Sequence, residues 1–157
     1  VLMNYRRAGK EDVMQLTALR MAYLEEDYGV LDAKIYEAIA EQLPFYFLRH
    51  LEQDCFAYVA ETENALLVAS ALLVVSEKPA NPSFITGRTG TVFNVYTQPP
   101  YRRQGNAEVL MRMLLYDAQA MDLDYVELKA TSDGIPLYEK LGFGPVTAGY
   151  QDMRYQF

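Results

Sequence analysis

The chain has 157 residues, 51% apolar and 22% charged, the size and balance of a single globular domain with a substantial core. Its net charge of −7, from 14 basic and 21 acidic residues, argues against nucleic acid or an anionic membrane as partner and tilts a small ligand toward a neutral or cationic one. The longest apolar stretch, residues 65–75, is too short to span a bilayer, no secretory-type segment opens the chain, and the lone Cys55 rules out an internal disulfide, so a cytoplasmic setting is expected.

Residues 10–28 read as a helix, with Glu11 and Asp12 in the first turn, Val13, Leu16, Leu19, Arg20, Tyr23 and Leu24 at helical spacing, and Gly29 as the stop. A second helix is predicted over 32–51, kinked or broken at Pro44. Residues 56–61 and 66–76 read as strands joined by a polar turn, and 80–88, with its prolines and Gly87, as a loop or ragged hairpin. Residues 91–97 form a third strand, ended by Pro99-Pro100. A helix over 106–121 carries Ala107, Leu110, Met111, Leu114, Ala118 and Met121 on one stripe. A strand over 125–130, a short helix over 135–141 closed by Gly142, and two short strands within 143–157 complete the chain. The strand–helix–strand unit over 91–130 requires a right-handed crossover and a parallel strand pair, hence a mixed α/β sheet with helices on both sides.

One basic knot interrupts this acidic chain, Tyr101-Arg102-Arg103-Gln104-Gly105, between the third strand and the next helix. The first amides of a helix have no internal acceptor and sit at the positive end of its dipole. Gly105 and Ala107 supply little bulk there, while Arg102 and Arg103 add charge, so a pyrophosphate fits the corner. The residues alone leave a second reading open, an ordinary basic loop that opens a helix. Neither a P-loop nor a three-glycine dinucleotide turn is present.

Arg102-Arg103-Gln104-Gly105-Asn106-Ala107 resembles the Gln/Arg-x-x-Gly-x-Gly/Ala signature of the GCN5-related N-acetyltransferase (GNAT) superfamily. Leu137-Tyr138-Glu139-Lys140-Leu141-Gly142-Phe143 resembles the same superfamily's fourth motif. The likeness is specific between Val95 and Phe143 and extends in element order over nearly the whole chain. It implies a mixed, mostly antiparallel sheet with a central, parallel, splayed strand pair and helices on both faces. It also implies one domain over 1–157, with acceptor-side helices and antiparallel strands in 1–90 and the coenzyme A-binding part in 91–157. The cosubstrate implied is acetyl-coenzyme A, without a metal. The diphosphate would be held by main-chain groups of Arg103, Gln104, Gly105, Asn106 and Ala107 beside the Arg102 charge, and the pantetheine arm by the main chain of Val95 and Thr97. Tyr138 would act as general acid toward the leaving sulfur, and the Val95 N–H would face the developing oxyanion. Ser132 either touches the coenzyme or is a turn serine.

The chain departs from the superfamily at Thr91, where members that acetylate histones place a catalytic glutamate. Glu25, Glu26 and Asp27, at the end of the first helix, either hold an acceptor ammonium or form a solvated face. Asn94 either meets a ligand or bonds a neighbouring loop, and Arg88 either faces the acceptor or is a loop charge. His50 is expected at the surface or as a cap, and Cys55 as a small buried hydrophobe. The expectation is an N-acetyltransferase that carries an acetyl group to a primary amine of a small molecule or peptide in a ternary complex. The alternative is a non-catalytic acyl-coenzyme A sensor, and behind it a cofactor-free interaction domain. A homodimer is also open, since many members pair.

Overall fold

The computed structural model describes residues 2–147 and 149–157. Its strands collect into one sheet in chain order: β1 (Asn4–Arg7), β2 (Cys55–Glu61), β3 (Leu67–Glu77), β4 (Arg88–Thr97) and β5 (Val126–Glu127). The β1–β2, β2–β3 and β3–β4 pairs are antiparallel, and β4–β5 is parallel. Helices α1 (Val13–Tyr28) and α2 (Ala33–His50) cover one face, where Cys55, Ala57, Val59, Leu67 and Leu72 are buried against Leu16, Leu19 and Phe47. Helix α3 (Asn106–Ala120) crosses from β4 to β5 over the other face, packing Leu110, Met111 and Leu114 onto Tyr58, Ala60, Ala69 and Ala71, with α4 (Ile135–Leu141) alongside. Both faces are therefore dry, which is why β2 and β3 read as nearly continuous apolar runs instead of alternating.

Local chemistry sets the boundaries. The Asp12 carboxylate receives the Gly9 N–H at 2.9 Å and closes the turn into α1, and Gly29 at φ 81° ends that helix. The Asp32 side chain caps α2 by accepting the Lys34 N–H at 3.0 Å. Of the kink or break expected at Pro44, the break does not occur, since α2 is continuous across it. A proline forfeits one ladder donor, and burial of Leu43 and Phe47 on either side of it holds both halves to the core.

Two further expectations are corrected. The strand over 125–130 shortens to Val126–Glu127, because it pairs only through Gly90↔Val126 and Thr91↔Glu127 before β4 and β5 diverge. The two short strands expected within 143–157 do not form among the described residues. A strand needs a partner, and β5 offers a sheet edge only two residues long. Met153 and Tyr155 are consequently 91% and 83% exposed.

Strand β4 also carries a bulge. Ser70 pairs with Tyr96 but Leu72 with Phe93, so β4 spends one extra residue there, and Asn94 takes φ 54°. A bulge bends its strand and re-aims the residues beyond it. Here it sits where β4 parts from β5.

Candidate active site at the strand splay

Beyond Thr91 no β5 residue pairs with β4, and Val95 and Thr97 lie on that unpaired length. After β4 a 3-10 turn at Pro99–Tyr101 reverses the chain, and Arg103 (φ 60°) and Gly105 (φ 83°) wind it into α3 through two left-handed residues. A Cβ built on Gly105 would meet nothing within 4 Å, so the space in front of the helix is open. Asn106 keeps its side chain out of that space. It is 3% exposed, donates from Nδ2 to the Tyr101 carbonyl at 3.0 Å and accepts the Tyr5 hydroxyl on Oδ1 at 2.6 Å. Gln104 folds back onto the Pro100 carbonyl at 3.2 Å, and Ala107 carries only a methyl group. The corner thus presents free helix-start amides with no side chain across them, and the residues present fit a diphosphate.

The two arginines of the loop separate. Arg103 is exposed and makes no ion pair among the described residues. Arg102, expected beside the phosphates, turns to the other face of the sheet. Its Nε donates to the Thr97 carbonyl at 2.7 Å, its Nη2 meets Glu26 at 2.6 Å, and its Cζ lies 5.6 Å from the Tyr96 ring centre. The reason is electrostatic: a carboxylate from α1 and an aromatic face satisfy the guanidinium there.

Tyr138 stands on α4, partly buried against the α3-side core that Val95 and Phe143 also join. Helix α4 ends in a Schellman arrangement, with the Phe143 N–H on the Tyr138 carbonyl at 2.9 Å and the Gly142 N–H on the Glu139 carbonyl at 3.0 Å. Phe143 also packs edge-on against the Tyr138 ring at 5.8 Å, and a Cβ on Gly134 would come within 2.9 Å of Tyr138 Cε2. The ring is therefore held on two sides. Burial pushes the Tyr138 phenol above its ordinary value, and the Tyr23 phenol adds to the shift, so it keeps its proton at neutral pH.

On the α1 side, Tyr23 meets Tyr96 edge-on at 6.2 Å. Glu26, a candidate for holding an ammonium, is taken by Arg102. Glu25 and Asp27 are exposed, and Asp27 lies near the Tyr23 phenol, whose proton is held mainly by burial. Asn94 bonds a neighbouring strand instead of a loop: its Nδ2 donates to Ser70 Oγ at 3.0 Å, and Ser70 Oγ donates to the Asn94 carbonyl at 3.2 Å. Its Oδ1, in a residue 4% exposed, has no partner. Ser132 lies exposed in the turn before α4, and that turn is closed by Thr131, not by Ser132.

Several side chains prove structural. Arg88 donates to the Met121 carbonyl at the end of α3, at 2.9 Å. His50 meets Asp54 at 2.7 Å and stacks on Tyr46. Cys55 is fully buried, and burial pushes its thiol up to about 11. Among the described residues no group of three or more histidine, cysteine or acidic side chains is placed to hold a metal. Neither Tyr5 nor Tyr23 stands out in the sequence. Tyr23 lies within a helical stripe that reads as core, and Tyr5 meets Asn106 across 101 positions of chain, so no local pattern announces it.

The sequence profile of the acetyltransferase (GNAT) family matches residues 15–143. Among solved structures, a predicted acetyltransferase from Clostridium acetobutylicum, solved with acetyl-coenzyme A, is 25% identical, with 98% of this chain and 96% of that one covered and a TM-score of 0.81. A GCN5-related N-acetyltransferase from Ralstonia eutropha JMP134 is 26% identical over 97% and 99% of the two chains, also with a TM-score of 0.81. Glucosamine-6-phosphate N-acetyltransferase from Arabidopsis thaliana, 18% identical over 99% of both chains with a TM-score of 0.71, shares the fold. A comparison with curated proteins finds no match. A profile match over most of the chain, together with this splayed sheet and open helix corner, gives the assignment: the chain belongs to the acetyltransferase (GNAT) family and is an acyltransferase whose cosubstrate is acetyl-coenzyme A.

Proposed function

We propose that the enzyme moves an acetyl group from acetyl-coenzyme A to a primary amine by direct attack while both are bound. The observation that carries this reading is an open helix corner at Gly105, after the length of β4 that β5 leaves unpaired, together with a half-buried phenol at Tyr138 that keeps its proton. Main-chain groups of Arg103, Gln104, Gly105, Asn106 and Ala107 hold the diphosphate, with the free Arg103 charge beside them. The Val95 and Thr97 main chain aligns the arm, the Val95 N–H faces the carbonyl oxygen, and Ser132 sits exposed near the entrance. When bound, acetyl-coenzyme A supplies the thioester carbon that the amine attacks. A C–N bond forms, the C–S bond breaks, and Tyr138 gives its proton to the sulfur while the nitrogen's proton leaves to water. Thr91 cannot serve as a base, which favours an α-type amine with a pKa near ~8 over a lysine-type amine near ~10. The thiol of Cys55 and the use of acetyl-coenzyme A fit a cytoplasmic protein, and we assign two copies to the working unit, paired through the C-terminal segment.

Thiol release from acetyl-coenzyme A over a panel of amines tests the reading. Tyr138→Phe should lower kcat by about 10²-fold. Acetyl-coenzyme A at a hundred times its Kd should raise wild-type stability by about 2.7 kcal/mol, and Gly105→Glu should abolish that gain by placing a carboxylate among the phosphates. Turnover unaffected by Tyr138→Phe removes the acid role. Binding without turnover of any amine supports the sensor.

A further inference from the structure

Phe93 lies in the middle of β4, flanked by β3, yet it is 43% exposed. It pairs with Leu72, which is 4% exposed and belongs to the core under α1 and α2, so Phe93 faces the α1 side of the sheet. A central strand that exposes an aromatic ring on its otherwise dry face leaves an apolar floor open there. Tyr96 and Ser70, a registered pair, continue the same face, and the unpartnered, buried Asn94 Oδ1 lies beside Ser70.

Tyr23 of α1 meets Tyr96 of this floor edge-on at 6.2 Å, and Arg20 lies against Tyr23. The Arg20 guanidinium is 6.0 Å from the Tyr23 ring centre. Arg6, Arg7, Arg102 and Arg112 each find a carboxylate. Arg20, partly buried in a chain with 21 acidic residues, makes no ion pair among the described residues. A half-buried cation against an aromatic ring and without a counter-ion is a site for an anion. Tyr23 links it to β4, since its ring packs edge-on at 6.2 Å against Tyr96, the residue after Val95.

We infer that Arg20 binds a carboxylate carried by the acceptor itself, so that the substrate is a small amino acid-like zwitterion. Its apolar middle lies on Phe93, and its amine points past Tyr23 toward Tyr138. A single guanidinium matches a carboxylate in its two-pronged geometry, whereas a dianionic phosphate would require a second cation that the exposed Glu25 and Asp27 do not provide. The inference rests on the acetyl-transfer reading and narrows it. It also departs from what net charge suggested, because the local cation decides recognition, not the sum over the surface.

The test uses matched acceptors that differ only in the carboxylate: phenylalanine against 2-phenylethylamine, and methionine against 3-(methylthio)propylamine. Thiol release gives kcat/KM, and calorimetry in the presence of coenzyme A gives binding without chemistry. Wild type should prefer the zwitterion by about tenfold or more in at least one pair. Arg20→Gln should bring that ratio close to one, and Arg20→Lys, which keeps charge but not the fork, should fall between. Acetyl-coenzyme A binding by each variant reports that it is folded, and the wild-type ratio stands whether or not a variant folds. Equal treatment of both members in both pairs, or a ratio unmoved by Arg20→Gln, overturns the inference. Amines acetylated without preference would leave acetyl transfer standing and the subsite refuted. Zwitterion preference in calorimetry with no thiol release would do the reverse.

Discussion

Gly134 shows how a residue with no side chain sets the geometry of one with a reactive group. A methyl group there would come within 2.9 Å of Tyr138 Cε2, closer than nonbonded atoms sit, while Phe143 blocks the ring edge-on. The backbone at 134 is in the ordinary helical region, so alanine is not strained by its own dihedrals. Its whole effect falls on the phenol. Gly134→Ala should therefore lower kcat by about tenfold with little change in acetyl-coenzyme A affinity or melting temperature, since small misplacements of a reacting group are costly. An unchanged kcat in that variant would mean the ring position is immaterial and would weaken the acid assignment. Tyr138, Gly142 and Phe143 were legible in the sequence because their contacts are local. Arg102 and Asn94 were not, because what decides them is a carboxylate 76 positions away and a hydroxyl 24 positions away.

At the scale of elements, α3 is the part that must be placed well, because its first turn is the cradle. Two tyrosines from the antiparallel half fix it at both ends. Tyr5 on β1 donates to Asn106 Oδ1 at 2.6 Å, and Tyr58 on β2, fully buried, donates to Asp117 Oδ2 at 2.7 Å. Removing the Tyr5 hydroxyl strands Asn106 Oδ1, and removing the Tyr58 hydroxyl takes a hydrogen bond from the Asp117 carboxylate, which keeps Arg7 at 3.5 Å, each at a cost of about 1–3 kcal/mol. The two losses should differ in function. Tyr5→Phe frees the start of α3 and should weaken acetyl-coenzyme A binding severalfold, whereas Tyr58→Phe should destabilise comparably and leave that affinity alone. Calorimetry beside thermal melts checks this, and equal affinity losses would show only general loosening. Helical periodicity made α1, α3 and α4 readable because an amphipathic stripe is written in the sequence itself. The shortening of β5 was not, because it results from where β4 bulges and diverges, and a strand's length depends on its neighbour.

Across the whole molecule one mismatch stands out. Residues 151–157 alternate as a strand does, with Met153, Tyr155 and Phe157 on one side and Asp152, Arg154 and Gln156 on the other, and Tyr155 and Phe157 lie 5.2 Å apart. They have no sheet. The sheet, for its part, ends at β5, which has no further strand beside it among the described residues, next to a mixed hollow of about 370 Å³ lined by Leu115, Gln119, Leu123, Tyr125, Val126 and Phe143 among others. The alternation behind the strands expected here is in the sequence, but those strands do not form among the described residues, because no partner strand meets them. A row of exposed apolar side chains and an open edge of matching chemistry are complementary, and two copies related by symmetry would satisfy both sites at once. In the proposed pair, the segment of one copy lies along β5 of the other. Light scattering at tens of micromolar should return twice the chain mass, and Met153→Glu combined with Tyr155→Glu should return the monomer, because two carboxylates cannot pack unpaired against Leu115, Val126 and Phe143. A wild-type protein that scatters as a monomer throughout that range would show that the row of side chains is left to solvent.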